Sequence, residues 1–270
     1  MIARPGRLVL LGHPVSHSLS PRMHDAALAA AGIPLRYHAL DVEPSRFDAV
    51  LDALIAERGS GNVTVPHKER MFQRCNALTP LAERVGAVNT FWTGDDGTLV
   101  GANTDVGGFD AAVLDVIGAT PRDITVGICG AGGAAAAVLA AVEQWPGCVA
   151  HVFNRTPERA RILCERFGSF ARPVDDAGAI AGAQLVVNAT SIGLSGDDTP
   201  IDPRLVPLDS TVMDLIPTKR ETPFVRALRE RGVRVSDGRA MLVEQAALAF
   251  ELWFGVSPQR SLMRRALDAD

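Results

Sequence analysis

The chain has 270 residues, enough for one large domain or two of ordinary size, and is 47% hydrophobic and 21% charged, the balance of a folded globular protein. A formal net charge of −4 offers no basic surface to a nucleic-acid backbone, and no apolar run is long enough to span a membrane, so neither partner is expected. Cys75, Cys129, Cys148 and Cys164 lie far apart without a C-x-x-C pair, and Pro14 separates His13 from His17, which implies reduced thiols, no metal centre and a cytoplasmic setting.

Strand-like apolar runs alternate with Ala/Leu-rich helical stretches, the pattern of βαβ units, so the expected class is α/β. Strands are predicted at 8–11, 36–40 and 61–65, with helices over 21–31, 45–58 and 68–76. Residues 91–93, the turn Gly94-Asp95-Asp96-Gly97 and residues 98–100 read as an antiparallel hairpin, which makes the first sheet mixed. A second series of strands follows near 124–128, 149–153, 184–188, 211–215 and 233–235. The expected organisation is a substrate domain over 1–106 plus 239–270 and a Rossmann-like domain over 107–238, with an amphipathic helix at 240–254 returning to the first.

The second domain opens on a buried strand, the glycine turn Gly130-Ala131-Gly132-Gly133-Ala134-Ala135 and a helix. Gly130 suits the tight turn, Gly132 close approach of a pyrophosphate, and Ala135 the third, packing position. A dinucleotide would then meet the free N–H groups of the helix start. The next strand ends in Asn154-Arg155-Thr156, where a site for NAD usually carries an acid. Arg155, Thr156 and, one helical turn on, Arg159 instead suit the 2′-phosphate of NADP, the bland alternative being solvated surface cations. Thr190, in Asn188-Ala189-Thr190-Ser191 after a later strand, is expected near the nicotinamide end.

In the first domain, Ser18 and Ser20 lie where a helix begins, with Ser20 expected as its N-cap, Pro21 at the first helical position and Gly32 as its stop. Two hydroxyls at a positive helix end also suit a carboxylate ligand. Asn62-Val63-Thr64-Val65-Pro66-His67-Lys68 puts Lys68 in a helix's first turn, where the dipole disfavours a cation. Such a lysine suits proton exchange with a substrate, or is simply an exposed helix former. Asp105, in Asn103-Thr104-Asp105 at the domain junction, is either the N-cap of the next helix or the partner that orients Lys68. Asn89 interrupts an apolar lead into a strand, and Gln245 falls on the apolar face of the last long helix, where its amide bonds either to backbone or to a ligand.

Together, His17-Ser18-Leu19-Ser20-Pro21, residues 62–68, Gly86-Ala87-Val88-Asn89-Thr90, Asn103-Thr104-Asp105, the glycine turn, Asn154-Arg155-Thr156 and Asp237-Gly238 with Met241, Leu242 and Gln245 resemble the signatures of the shikimate dehydrogenase family. The resemblance implies NADPH reduction of 3-dehydroshikimate to shikimate, in chorismate and aromatic amino-acid biosynthesis, by a monomer or homodimer. It implies Lys68 and Asp105 as the catalytic pair and Ser18, Ser20, Thr64, Asn89 and Gln245 as substrate contacts. For the cofactor it implies Gly130, Ala131, Gly132, Gly133, Ala134, Asn154, Arg155, Thr156, Arg159, Thr190, Leu215 and Gly238. Pro217 stands where the family usually has a substrate-reaching tyrosine, and the chain's only tyrosine is Tyr37. Val106 follows Asp105 where many members have glycine, with Gly107 and Gly108 expected to keep the junction flexible. The alternatives are a paralogue acting on quinate or another cyclic hydroxy acid, and a catalytically weak NADP-binding protein.

Overall fold

Four consecutive apolar residues, Leu8 to Leu11, form a strand buried on both faces, as a sheet covered on each side requires. The computed structural model describes residues 5–180 and 182–268. The chain divides into two compact units, one made of the residues up to Gly108 together with those from Leu242 onward, the other Phe109–Met241.

The first unit contains β1 (Arg7–Gly12), α1 (Ser20–Ala30), β2 (Tyr37–Asp41), α2 (Phe47–Ala56), β3 (Gly59–Val63), α3 (Lys68–Arg74), β4 (Ala77–Leu78), α4 (Pro80–Val85), β5 (Thr90–Thr93) and β6 (Leu99–Ala102), and runs into α5 (Asp105–Ile117). Its sheet has the order β2-β1-β3-β5-β6-β4. Strand β1 is parallel to β2 and β3, and β4 to β6, whereas β5 is antiparallel to β3 and β6. The expected mixed sheet and its hairpin are therefore present. Leu8 and Leu10 pack with Met23, Leu28, Phe250 and Trp253 on one face, while Val9 and Leu11 pack with Phe47, Leu51, Met71 and Phe91 on the other. Strand β3 stops at Val63, before the expected 65, because Pro66 has no N–H to donate and restricts Val65, which is exposed. The helix expected from 45 begins instead as a 3-10 turn at Pro44–Arg46.

The second unit contains β7 (Thr125–Cys129), α6 (Gly133–Val142), β8 (Val149–Phe153), α7 (Pro157–Phe167), β9 (Ala171–Val174), β10 (Leu185–Asn188), β11 (Thr211–Asp214), α8 (Pro223–Glu230) and β12 (Arg234–Ser236). All neighbours in the order β12-β11-β10-β7-β8-β9 are parallel, a Rossmann-like sheet. Strands run outward from β7 in one direction and from β10 in the other, so the switch point lies between those two. Such a sheet binds ligands beyond the carboxyl ends of its strands at that point.

The chain re-enters the first unit along α9 (Gly238–Phe254) and ends in α10 (Arg260–Asp268). Periodicity predicts an amphipathic α9, but no residue from Leu242 to Phe254 is exposed. Its polar side is covered: Arg260 of α10, a helix the sequence pattern did not reveal, pairs with both Glu244 and Glu251. Among the described residues no helix is long and apolar enough to cross a membrane.

His24 on α1 is fully buried, stacked on Tyr37 with ring centroids 4.3 Å apart, and neither ring nitrogen has a hydrogen-bond partner among the described residues. Burial pushes its pKa from 6.5 down to about 3, the Asn62 side chain opposing this less strongly. The ring is neutral in the fold but protonates near 6.5 in the unfolded chain, so its contribution to stability is complete above that pH and is lost as pH falls toward 3. His24→Phe, which keeps a ring against Tyr37, is expected to shrink the loss of unfolding free energy between about pH 7 and pH 5 by about 2 kcal/mol, measured by urea denaturation at both pH values.

Candidate active site

The first unit gathers its polar residues at one end of the mixed sheet. Ser18 and Ser20 follow β1, Thr64 and Lys68 follow β3, and residues 103–105 follow β6. Asn89 precedes β5, and because β5 is antiparallel to β3 and β6 it starts where they end.

Lys68 is the first residue of α3 and Asp105 the first of α5, and Lys68 Nζ donates to Asp105 Oδ2 at 2.7 Å. The side chains are only 17% and 7% exposed, so the charges are largely out of water and need further donors to offset desolvation. Asn89 supplies one, its Nδ2 lying 2.8 Å from Asp105 Oδ1. The Thr104 N–H, 2.7 Å from Asn89 Oδ1, fixes which way that amide points, since a backbone N–H can only donate. Gln245 Oε1 accepts from Asn89 Nδ2 at 3.3 Å and from the Thr104 hydroxyl at 3.4 Å, while its Nε2 donates to the Leu242 carbonyl at 3.0 Å. The structure thus brings together Lys68, Asp105, Asn89 and Gln245 and adds Thr104. Gln245 bonds both to backbone and to the cluster.

Three expectations are corrected. Asp105 is not an N-cap: its carboxylate is spent on Lys68 and Asn89, and it is Asn103 Oδ1 that accepts the Asp105 N–H at 3.1 Å. Ser20 is not a cap either, since Leu19 holds the cap position, Ser20 starts α1, with Pro21 second, and the Ser20 N–H is taken by Ser18 Oγ at 3.3 Å. Gly107 and Gly108 serve close packing rather than flexibility. A Cβ on Gly108 would fall 2.8 Å from the Gln245 backbone nitrogen, and one on Gly107 would fall 2.8 Å from Leu248. Ser18, Ser20 and Thr64 share the same sheet end but make no hydrogen bond to the cluster.

In the second unit, Gly130 has φ of +112°, a conformation open to glycine, and its N–H donates to the Phe153 carbonyl at 2.8 Å, joining the ends of β7 and β8. A Cβ built on Gly132 meets nothing within 4 Å, and Gly132 caps α6 without a side chain, leaving the first N–H groups of the helix available beside open backbone. Ala131, Gly133 and Ala134 are half-buried around the same turn, and Ala135 is buried behind it. After β8, Asn154 Nδ2 donates to the Thr156 carbonyl at 2.9 Å, and Thr156 holds the cap position of α7 without capping it. Arg155 and Arg159 are exposed and form no ion pair among the described residues. These features fit a dinucleotide with an extra phosphate at the adenosine end: unspent N–H groups, two guanidinium groups in no ion pair among the described residues, and no acid in Asn154-Arg155-Thr156 where β8 ends, Glu158 being paired with Arg161.

Asn188, part of the segment expected near the nicotinamide end, and Asp214, to which the sequence assigned no role, organise the opposite side of this sheet end. Asn188 Oδ1 accepts from the Thr190 N–H and hydroxyl at 3.1 and 2.7 Å, and Asn188 Nδ2 donates to Asp214 Oδ1 at 3.0 Å. Asp214 also receives the Thr222 hydroxyl and the Ile216 N–H, yet burial still raises its carboxyl pKa. Leu215 donates its N–H to the Asn188 carbonyl, and a Cβ on Gly238 would fall 2.5 Å from the Ile216 carbonyl carbon. Their available signal was a polar residue closing each of two otherwise apolar strands.

The family model of the shikimate dehydrogenase substrate binding domain matches residues 10–91, and that of the shikimate 5′-dehydrogenase C-terminal domain matches 238–267. The shikimate dehydrogenase (NADP(+)) of Mesorhizobium japonicum is 40% identical to the chain, with 99% of this chain and 97% of that protein covered. The chain belongs to the shikimate dehydrogenase family. A crystal structure of shikimate 5-dehydrogenase from Thermus thermophilus with NADP(H) and shikimate superposes with a TM-score of 0.86 at 38% identity, covering 99% of this chain and 98% of that one. A quinate dehydrogenase from Corynebacterium glutamicum in complex with NAD also superposes, with a TM-score of 0.85 at 30% identity over 96% and 97% of the two chains. In this shikimate dehydrogenase family member the matched C-terminal segment is the one that carries Gln245. Gly108→Ala, which must push that segment away from α5, is expected to lower the unfolding free energy by about 2–3 kcal/mol, measured by urea denaturation.

Proposed function

We propose that the chain catalyses the reversible NADPH-dependent reduction of 3-dehydroshikimate to shikimate, as a monomer or homodimer in the cytoplasm. The observation that carries this reading is the Lys68–Asp105 pair, held by Asn89 and Gln245; the match to the substrate binding domain includes Lys68 and Asn89, and that to the C-terminal domain includes Gln245.

NADPH, when bound, supplies the hydride that reduces the ketone. As the carbonyl oxygen gains negative charge, Lys68 Nζ stabilises it and delivers the proton that completes the hydroxyl, and in the reverse direction takes that proton back. Asp105 holds the Lys68 amine in place, and Asn89 holds Asp105. Asn89 and Gln245 also offer amide groups to the substrate, and Ser18, Ser20 and Thr64, at the same sheet end, offer hydroxyls. Gly130, Ala131, Gly132, Gly133 and Ala134 would hold the pyrophosphate. Asn154, Arg155, Thr156 and Arg159 would hold the adenosine 2′-phosphate, and Thr190, Leu215 and Gly238 would line the nicotinamide end.

Lys68→Ala is expected to lower kcat for shikimate oxidation by about a thousandfold while NADP affinity, measured by fluorescence titration, stays within about twofold. Near wild-type turnover in that variant would overturn the assigned acid and base. Arg155→Ala is expected to raise the KM for NADP by about 10- to 100-fold and to leave the KM for NAD within about twofold, because only the former carries the phosphate that a guanidinium grips. Equal effects on both cofactors would remove Arg155 from the 2′-phosphate site.

The second reading, a paralogue for quinate, is favoured by Pro217 in place of the family tyrosine; Tyr37 is buried against Asn62 and cannot take over that role. The ratio of kcat/KM for shikimate to that for quinate decides between the two.

A further inference from the structure

A line of buried polar side chains leads from the catalytic cluster into the body of the first unit, and the reaction as described makes no use of its far end. The Tyr37 hydroxyl on β2 lies 2.8 Å from Asn62 Oδ1 on β3. Asn62 Nδ2 lies 3.0 Å from Thr90 Oγ1 and 3.2 Å from the Asn89 carbonyl oxygen. Thr90 Oγ1, fully buried on β5, is 3.1 Å from Asn89 Oδ1 and 3.0 Å from Thr104 Oγ1. Asn89 Nδ2 then ends the line on the Asp105 carboxylate.

The direction of each bond follows from what each group can do. A backbone carbonyl only accepts, so Asn62 turns its Nδ2 to Asn89 and its Oδ1 to Tyr37, whose hydroxyl donates. Thr90 receives from Asn62, which leaves its one proton to go onward, to Asn89 Oδ1 or Thr104 Oγ1. The Thr104 N–H only donates, which turns Asn89 Nδ2 toward Asp105. The donors therefore run head to tail toward the carboxylate, each polarising the next. Nothing in the sheet demands them: Asn62 and Thr90 are opposite one another in a backbone ladder that apolar side chains would serve equally well.

We infer that Asn62 and Thr90, with Tyr37 behind them, are positioning residues for the reaction, orienting the Asn89 amide and through it the Asp105 carboxylate that holds Lys68. This rests on Lys68 and Asp105 being the catalytic pair.

Thr90→Val keeps the shape and removes the hydroxyl. It is expected to lower kcat, expressed per NADP-binding equivalent, by about tenfold with the KM for NADP within about twofold. Thr90→Ser is expected to restore kcat to within about twofold of wild type, and Tyr37→Phe to lower it by about threefold. In an Asp105→Asn background the effect of Thr90→Val is expected to shrink below about twofold, because the line no longer ends on a carboxylate. Wild-type kcat in folded Thr90→Val beside an inactive Lys68→Ala overturns the positioning role alone, as does a serine variant no better than valine. High activity in Lys68→Ala and Asp105→Asn removes the catalytic pair, and the positioning role with it. If Thr90→Val does not fold, Tyr37→Phe decides, with wild-type kcat as the outcome that overturns the inference.

Discussion

Two opposite charges brought together where little water reaches them set the terms for the first unit. The Lys68–Asp105 pair loses hydration on both sides, and an ion pair so placed holds only if the remaining lone pairs and protons find partners. The neighbouring groups answer that need. Lys68 takes one carboxylate oxygen and Asn89 the other, Thr104 fixes Asn89, and Gln245 accepts from both Asn89 and Thr104. Each of these residues starts or follows a sheet strand or rides on a helix packed against the sheet, so their spacing is set by a rigid core rather than by loops.

The second unit solves a different problem by different means. Its expected ligand carries its own charges, so the protein offers mainly backbone: a glycine turn, uncapped helix starts and two unpaired arginines. A side-chain network also forms there where strands end beside one another, with Asn188 tying Thr190 and Asp214 into one assembly. Around its candidate site the first unit therefore relies on mutually bonded polar side chains, and the second on backbone N–H groups at a glycine turn.

Much of this was legible in the residues alone. Apolar runs located both sheets, and the hairpin stood out because Gly94-Asp95-Asp96-Gly97 has the chemistry of a turn. Lys68 stood out as a cation in a helix's first turn, Asp105 by its place at the domain junction, Asn89 as a polar interruption and Gln245 as an amide on an apolar helix face. The misreadings have a common cause, which is that local pattern does not report tertiary partners. Ser20 looks like a cap until Ser18 is seen to take its N–H, and α9 looks amphipathic until Arg260 covers its glutamates. Gly107 and Gly108 look like a hinge until Gln245 and Leu248 are found against them. Asn62 and Thr90 lie in two of the segments that resemble the family's signatures, but nothing local gave either a role of its own; their meaning lies in bonds to residues on other elements.

The first unit is discontinuous in sequence, and this fixes an order of assembly. Its core needs Phe250, Trp253 and Met263, its cluster needs Gln245, and the Trp253 indole N–H donates to the carbonyl of Phe91 at 3.2 Å across a gap of 162 residues. A ribosome therefore releases the whole continuous span of the second unit before the first can be closed. The strands β1 to β6 emerge early and wait with one apolar face uncovered, and the end of the sheet that carries the polar cluster is completed by a helix synthesised after the whole second unit.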